Sequence, residues 1–541
     1  MRSGRIAALA VALGMCCFAY RYLAYSGFPN DHFVTLSRAQ QILLGEVPVR
    51  DFVDPGLPLT YYMSAAFQAV LGGTLLSEAM LVFGALALAA AITCVVAARV
   101  TGSYAIAAAV TLMQILVAPR AYGYPKILLY AVALLAIGAY ARSRRPLHAA
   151  ALGLLTAGAF LMRHDHGIFI GAVSLATIAA VQLQFGKAAV IRAAGVFLVA
   201  ALSGVLPFLI LVQESIGLGQ YVRDAVSFSR IEAARSYLEG LPALRLSSRA
   251  SIATGWLFYL PFAAAVAALL TARHWRDEAT RATAYAAAGL SLLVGAAFLR
   301  SPLSERVADA WGPLPIALAC AVASPALGVR SKRAAASVAV LMLVATGWSV
   351  AVAGAAPAML RESGVTQSLS AVVERWRSVT RVLGTSAARA RAAEEVRGGD
   401  PAAETYVFAC SAPSDRLLAL MFAPELYYFT QRGFAAGHVA FVGGYYGSRA
   451  DQELAIARWS RQSVPFALMF EDQEREMASA FPFIVGELRR RYVQVARIPD
   501  NEGGQGAMLI FAERRRQGTS TYEPLGAPCF VDRGIGNAAQ R

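Results

Sequence analysis

The sequence predicts a polytopic α-helical membrane protein that ends in a smaller soluble α/β domain. Three observations predict it. Of 541 residues, 57% are hydrophobic and only 15% charged, against roughly 25% charge in an ordinary globular domain. Long apolar runs recur between short basic loops, and mean hydropathy is +0.51; such runs match the thickness of a bilayer core. Past about residue 355 the texture changes to short strand-like and helix-like stretches in alternation, the pattern of a small α/β unit.

The apolar segments lie at 6–25, 77–98, 104–119, 127–141, 147–162, 167–184, 193–213, 252–271, 283–299, 311–326 and 334–355. That is about eleven helices of spanning length once tilt is allowed. The first follows Met1-Arg2-Ser3-Gly4-Arg5 and resembles a signal peptide. Tyr20, Arg21, Tyr22 and Tyr25 stand where a small-x-small cleavage site belongs, so a retained first helix is expected. The segment 57–72 is apolar but short, and it holds Pro58, Thr60, Tyr61, Tyr62 and Gln68. Loop charge decides its place. With 57–72 lying in the membrane interface, alternate loops carry Arg2/Arg5, Arg99, Arg142/Arg144/Arg145, Lys187/Arg192, Arg273/Arg276/Arg281 and Arg330/Lys332/Arg333. This is the cytoplasmic excess of the positive-inside rule. Counting 57–72 as a span would put Arg99 and Arg142–Arg145 outside, so an interfacial helix is expected, with Tyr61 and Tyr62 at headgroup level.

The odd number of spans then puts residues 356–541 outside the cytoplasm, apart from a membrane domain over 1–355 whose outer loop and juxtamembrane helices occupy 26–76. In the outer domain, strands are expected at 405–409, 466–470, 492–498 and 507–511, and helices at 450–461 and 476–491. The stretch 383–404 reads as a helix and linker, and the tail from Arg514 as polar and loose. Cys16, Cys17, Cys94 and Cys320 lie in apolar runs and read as small core residues. Cys410 and Cys529 fall in the outer part, where an oxidising compartment permits a disulfide. The formal net charge of +15 does not argue for nucleic acid, because many of the Arg residues sit in the short orienting loops.

Chemistry concentrates in the loops opposite the basic set. Asp31, in Asn30-Asp31-His32-Phe33 after the first apolar segment, is placed to act as a general base at the membrane boundary. Its plain alternative is a helix-capping acid. Arg163-His164-Asp165-His166-Gly167 joins two spans, and ionisable groups at that depth are costly and often functional. His164, His166 and Asp165 are conceivable metal ligands, but H-x-H alone is a weak signal and no metal site is assigned. A tight hydrated loop and a substrate-binding turn remain the two other readings. Arg120-Ala121-Tyr122-Gly123-Tyr124-Pro125-Lys126 suits a phosphate headgroup, or an aromatic-belt turn with snorkelling cations. Lysine occurs only at Lys126, Lys187 and Lys332, which makes Lys126 more notable. The loop 214–250, with Arg223, Asp224, Arg230, Glu232, Arg235 and Tyr237, reads as an amphipathic surface helix or a lid. Ser304-Glu305-Arg306 and Asp309 form a further outer turn, where Arg306 is within reach of a lipid phosphate.

These residues resemble the GT-C superfamily of polytopic glycosyltransferases that use polyprenyl-phosphate sugars. The likeness is to the bacterial branch of protein O-mannosyltransferases, aminoarabinose transferases and lipopolysaccharide-core galacturonosyltransferases. Members carry an acid in the first outer loop, a G-x-x-P-Y-x-D-F stretch and a P-P-L juxtamembrane helix. Here these become Asp31, then Gly45-Glu46-Val47-Pro48-Val49-Arg50-Asp51-Phe52, then Asp54-Pro55-Gly56-Leu57-Pro58-Leu59. The likeness covers about residues 1–355 and is strongest over 26–170; Pro424-Glu425-Leu426-Tyr427-Tyr428 also looks like the soluble domains attached to such enzymes. Two departures matter. The first-loop acidic pair is Asp31-His32 here. Where relatives carry an Asp in the second outer loop, Lys126 stands, so a second carboxylate is missing or supplied by Asp165.

The resemblance implies an inverting, metal-independent sugar transfer on the outer face of a bacterial inner membrane, with no cofactor beyond the lipid-phosphate sugar. Asp31 would be the base. Arg120, Lys126, Arg163 or Arg306 would hold the departing phosphate, with Tyr122 and Tyr124 beside it. His164 and Asp165 would orient substrate. The acceptor would be a glycan, lipid or protein. The rival class is a transporter or flippase of a lipid-linked or polar solute. Its sites lie near the bilayer midplane in broken helices, whereas the polar residues here gather in loops. A third class, a membrane-anchored assembly protein, leaves the polar clusters at Asp31 and Arg163–His166 without a purpose.

Overall fold

The computed structural model describes residues 3–236, 241–242, 245, 247–300, 303, 306–327, 332–353, 356–385, 403–499 and 506–531. Ser304, Glu305, Tyr237 and the linker at 398–401 lie outside them. Each apolar segment forms a helix. In chain order they are α1 (Ser3–Leu23), α4 (Leu75–Thr101), α5 (Tyr104–Val117), α6 (Tyr124–Ser143), α7 (Pro146–Met162), α8 (His164–Gln182), α9 (Lys187–Ser215), α11 (Arg249–Ala272), α12 (Glu278–Leu299), α14 (Leu314–Val322) and α15 (Lys332–Ala353). Between them fall α2 (Asn30–Leu43), α3 (Pro58–Leu71), α10 (Leu218–Ser236) and α13 (Val307–Ala310).

Among the described residues, eight helices are long and apolar enough to cross a membrane. Three further apolar helices are shorter. α5 has 14 residues, α7 has 17 and α14 has 9, or about 21, 25 and 13 Å against a hydrocarbon core of about 30 Å. Every residue of α14 is buried. α14 runs from the Asp309 end of the bundle to the opposite end, where Ser324 Oγ donates to Thr271 O at 3.3 Å.

The segment 57–72 is helical as α3, with Pro58 at its first turn, where a missing N–H costs nothing. Tyr61 does not face a headgroup layer. It is fully buried, and its hydroxyl accepts a hydrogen bond from Arg38 Nη1 at 2.7 Å. Tyr62 is 40% exposed.

The C-terminal part is a mixed five-stranded sheet in the order β2-β1-β3-β5-β4, with β1 (Arg416–Ala419), β2 (Gly433–Phe434), β3 (Phe466–Phe470), β4 (Tyr492–Ile498) and β5 (Met508–Glu513). β1 runs parallel to β2 and β3, and β5 antiparallel to β3 and β4. The expected strands at 466–470, 492–498 and 507–511 are β3, β4 and β5, and the expected helix at 450–461 is Arg449–Trp459.

Four expectations in this part are corrected. Residues 405–409 form a helix, Ala403–Cys410, which buries Ala403, Tyr406, Val407 and Cys410; these positions lie three and four apart, and a short apolar run does not by itself separate helix from strand. The helix at 476–491 breaks at Phe481-Pro482 into Glu474–Ala480 and Pro482–Arg491. β1 and β2 were not foreseen. The tail is not loose as far as residue 531: β6 (Ser520–Tyr522) pairs with β7 (Ala527–Cys529), and Cys529 is disulfide-bonded to Cys410.

The sheet domain grips the segment between α1 and α3. Phe52 and Tyr61 belong to its apolar core. Ser37 Oγ donates to Pro424 O at 2.7 Å, Gln41 Nε2 to Phe434 O at 3.0 Å, Val53 N to Gly437 O at 3.0 Å, and Arg416 pairs with Glu46 at 2.9 Å. α2 is thus clamped between the sheet domain and α3.

Replacing Cys410 or Cys529 by Ser removes a crosslink spanning 119 residues. Loss of about 2–4 kcal/mol is expected. It is read as a lower melting temperature of the full chain, matched by adding reductant to the unsubstituted protein.

Candidate active site

One buried carboxylate organises the polar residues at the α2 end of the helical bundle. Arg120 leads into a short turn, Ala121–Gly123, from which α6 starts, with Pro125 in its first turn. Asp309 lies on α13 and is 5% exposed. Its Oδ2 accepts from Arg120 Nε at 2.9 Å and from Lys126 Nζ at 2.7 Å. Gly123 permits this approach: a Cβ there would lie 3.0 Å from Asp309 Oδ1 and 3.1 Å from Lys126 Cε. Asp309 Oδ1 is buried with no hydrogen-bond partner among the described residues. Burial pushes the Asp309 carboxyl up, but the Lys126 and Arg120 charges and their hydrogen bonds outweigh it and hold the carboxyl at about 2.

Asp31 joins this cluster through a tyrosine. Arg120 Nη1 donates to the Tyr122 hydroxyl, and the guanidinium lies 4.5 Å from the Tyr122 ring centroid. The Asp31 carboxylate acts electrostatically on that hydroxyl. Asp31 itself is exposed, in the first turn of α2. Its neighbour His32 turns the other way and is fully buried. His32 Nε2 lies 2.8 Å from Glu78 Oε1, and the His32 ring stacks on Phe28 at 4.3 Å. Glu78 Oε2 accepts from Ser64 Oγ at 2.6 Å. The turn bearing Asp31 is therefore anchored to α3 and α4 by the residue that follows it.

The Arg163 turn closes the cluster from α7 and α8. Arg163 Nε donates to Asp165 Oδ1 at 3.0 Å, and the same oxygen accepts from His166 N at 2.9 Å. His166 is buried against the Tyr130 hydroxyl. Arg163 is within electrostatic reach of Lys126 and Asp309.

The remaining predicted residues sit elsewhere. Tyr124 is buried beneath the turn, and its hydroxyl has no hydrogen-bond partner among the described residues. His164 stacks on Phe160 at 4.0 Å, and its Nε2 lies 2.8 Å from the Tyr221 hydroxyl. That hydroxyl donates to Asp54 Oδ2 at 3.3 Å, while Asp54 Oδ1 caps the Gly56 and Leu57 amides at 2.9 Å each. His164 thus belongs to a second polar line toward α10 and the sheet domain. Arg306 pairs with Glu232 of α10 at 2.5 Å, and Glu232 also accepts from Tyr445 of the sheet domain at 2.6 Å. The 214–250 loop therefore contains a helix over 218–236, and its Glu232 bridges Arg306 and Tyr445.

Sequence reasoning passed over three features. Asp309 was seen only as part of a turn, and nothing local ties it to Arg120 and Lys126. Asp54, within the quoted juxtamembrane motif, was not read as a site residue. Glu78 lies inside an apolar run, where a lone acid is itself a signal of a buried partner. Among the described residues, no group of three or more His, Cys, Asp or Glu side chains gathers as a metal site.

No family model matches the chain, and no curated protein matches it by sequence. Among solved structures, the chain is similar to the crystal structure of ArnT from Cupriavidus metallidurans bound to undecaprenyl phosphate. The TM-score is 0.52 at 15% identity, over 95% of this chain and 98% of that one. The fold is therefore like that of this structure along nearly its whole length, sheet domain included.

Asp309→Asn leaves the buried Lys126 and the half-buried Arg120 facing a neutral amide. The expected cost is roughly 3–5 kcal/mol, read as a lower melting temperature in detergent. Because the Asp309 carboxyl is held at about 2, below the ordinary carboxylate value of about 3.9, its stabilisation is complete above that value and is lost only as pH falls through about 2. The deficit of the variant should accordingly be fully present at pH 5.

Proposed function

We propose that this chain is a membrane glycosyltransferase that moves a sugar from a polyprenyl-phosphate donor to an acceptor hydroxyl. Two things support the reading. One is a GT-C-like fold shared with a protein whose structure holds undecaprenyl phosphate. The other, on which the reading chiefly rests, is the contact line from Tyr122 through Arg120 to Asp309 and Lys126, with the exposed Asp31 acting electrostatically on Tyr122. It sets an exposed carboxylate beside a cationic cluster.

In this reading, the acceptor hydroxyl gives its proton to Asp31 as its oxygen attacks the anomeric carbon. The bond from that carbon to the phosphate oxygen breaks on the opposite face, so configuration inverts, and polyprenyl phosphate leaves with the bonding pair. Arg120 and Lys126 share one carboxylate, which leaves one positive charge in excess for the departing phosphate. Arg163, tied to Asp165, stands by as a second contact. Cations already fixed in place stabilise developing charge without reorganising, and in many enzymes this supplies most of the rate enhancement. No metal or cofactor is required by this scheme. Arg306, which holds Glu232, fits better as a fastening for α10 than as a phosphate ligand. The reaction would take place on the outer face of a bacterial inner membrane, with the sheet domain outside the cytoplasm.

Asp31→Asn is expected to fold normally, because the side chain is exposed and Asn suits a helix start. Its turnover on a polyprenyl-phosphate sugar should fall by about 10²–10⁴-fold, with donor affinity little changed. Near-normal transfer by this variant would exclude Asp31 as the base. Lys126→Met should instead weaken carrier binding, measured by the concentration of polyprenyl phosphate that inhibits half of the transfer.

A further inference from the structure

A groove of about 320 Å³ runs between α8 and α12, away from the polar cluster. Small side chains keep it open: Ala176 and Ala180 on α8, and Ala282, Ala286 and Gly289 on α12. Ala176 and Ala180 are exposed. At one end Val173 comes close to Gly289, where a Cβ would meet its Cγ2 at 3.4 Å. At the other end stand Glu278 and Arg281. Glu278 is already satisfied, by Arg144 and by Gln184 Nε2 at 2.9 Å. Arg281 makes no side-chain hydrogen bond or ion pair among the described residues. The groove is thus an apolar channel in a pair of membrane-length helices, with one uncompensated cation at its mouth.

The mouth also has a side. It lies toward the α8 end that finishes at Gln182, opposite the turn Arg163–His166 that begins the helix. Arg142, Arg144, Arg145, Arg273 and Arg276 occupy the neighbouring loops, the basic set that faces the cytoplasm under the positive-inside rule. That leaflet holds the anionic lipids, and basic pockets between spanning helices on that side take their headgroups.

We propose that this groove binds one bilayer phospholipid with an anionic headgroup. One acyl chain lies along Ala176, Ala180 and Ala282, and the lipid phosphate meets Arg281. The site is separate from the donor and acceptor sites and does not depend on the transferase reading.

The test uses the full chain in mild detergent, stripped of bound lipid and titrated with phosphatidylglycerol or phosphatidylethanolamine, with retained lipid counted by native mass spectrometry. Phosphatidylglycerol should be retained in preference by about fivefold, the size of one basic side chain's attraction near an anionic membrane surface. Arg281→Gln should bring the ratio to about one and Arg281→Lys should restore it, since the ratio reads the charge contact alone. Ala180→Trp, entering the groove from an exposed position, should remove both lipids while the protein still elutes as a single species. Equal retention of the two lipids by the unsubstituted chain would overturn the proposal, as would unchanged retention by Ala180→Trp. Displacement of phosphatidylglycerol by added polyprenyl phosphate would also overturn it, by assigning the groove to the carrier.

Discussion

The polar end of the bundle depends on one ion cluster: two cations, Arg120 and Lys126, fastened to the single carboxylate of Asp309. Removing three charges from water costs several kcal/mol for each. At an effective dielectric of about 20, a pair at 4 Å returns about 4 kcal/mol. One carboxylate bonded to two cations recovers most of the cost for itself, as its low pKa records. The cations recover less, because each shares its partner with the other. The cluster is therefore stable yet one negative charge short. That is the electrostatic condition for binding an anion without rearrangement. Gly123 makes the cluster geometrically possible, and α13 delivers Asp309 to it.

A second constraint sets where Asp31 stands. α2 is held on one side by the sheet domain, through Ser37, Gln41 and Glu46. On the other side Arg38 bonds Tyr61 and His32 meets Glu78. The first turn of α2 is thus fixed from beneath while Asp31 stays open to solvent. The same docking brings loops with left-handed residues together, Val49 on one side and Ala436 and Tyr446 on the other. A β-branched residue at positive φ persists only where its surroundings over-determine it. The sheet domain is therefore a structural part of this end of the molecule rather than an appendage.

The membrane architecture was legible because apolar runs and their basic loops obey one-dimensional rules. Asp31, Arg120, Lys126, Arg163 and Asp165 were legible as polar residues stranded between apolar runs. Their pairings were not: Lys126 and Asp309 lie 183 residues apart, and no local pattern links them. The expected freedom of four cations to hold phosphate changes for the same reason, since the folded chain gives each an acid. In the sheet domain, long amphipathic elements were found and short ones missed. β1 has four residues and β2 two, too few for a period to declare itself.

A lipid-phosphate sugar held beside Asp31 at this end of the bundle is what the transferase reading requires above all. Mass spectrometry of the lipids that co-purify with the Asp31→Asn protein in mild detergent tests it most directly. A stalled transferase should retain a polyprenyl-phosphate sugar, and the mass would identify the sugar. Recovery of bulk phospholipids alone, even after candidate donors are added, would contradict that reading.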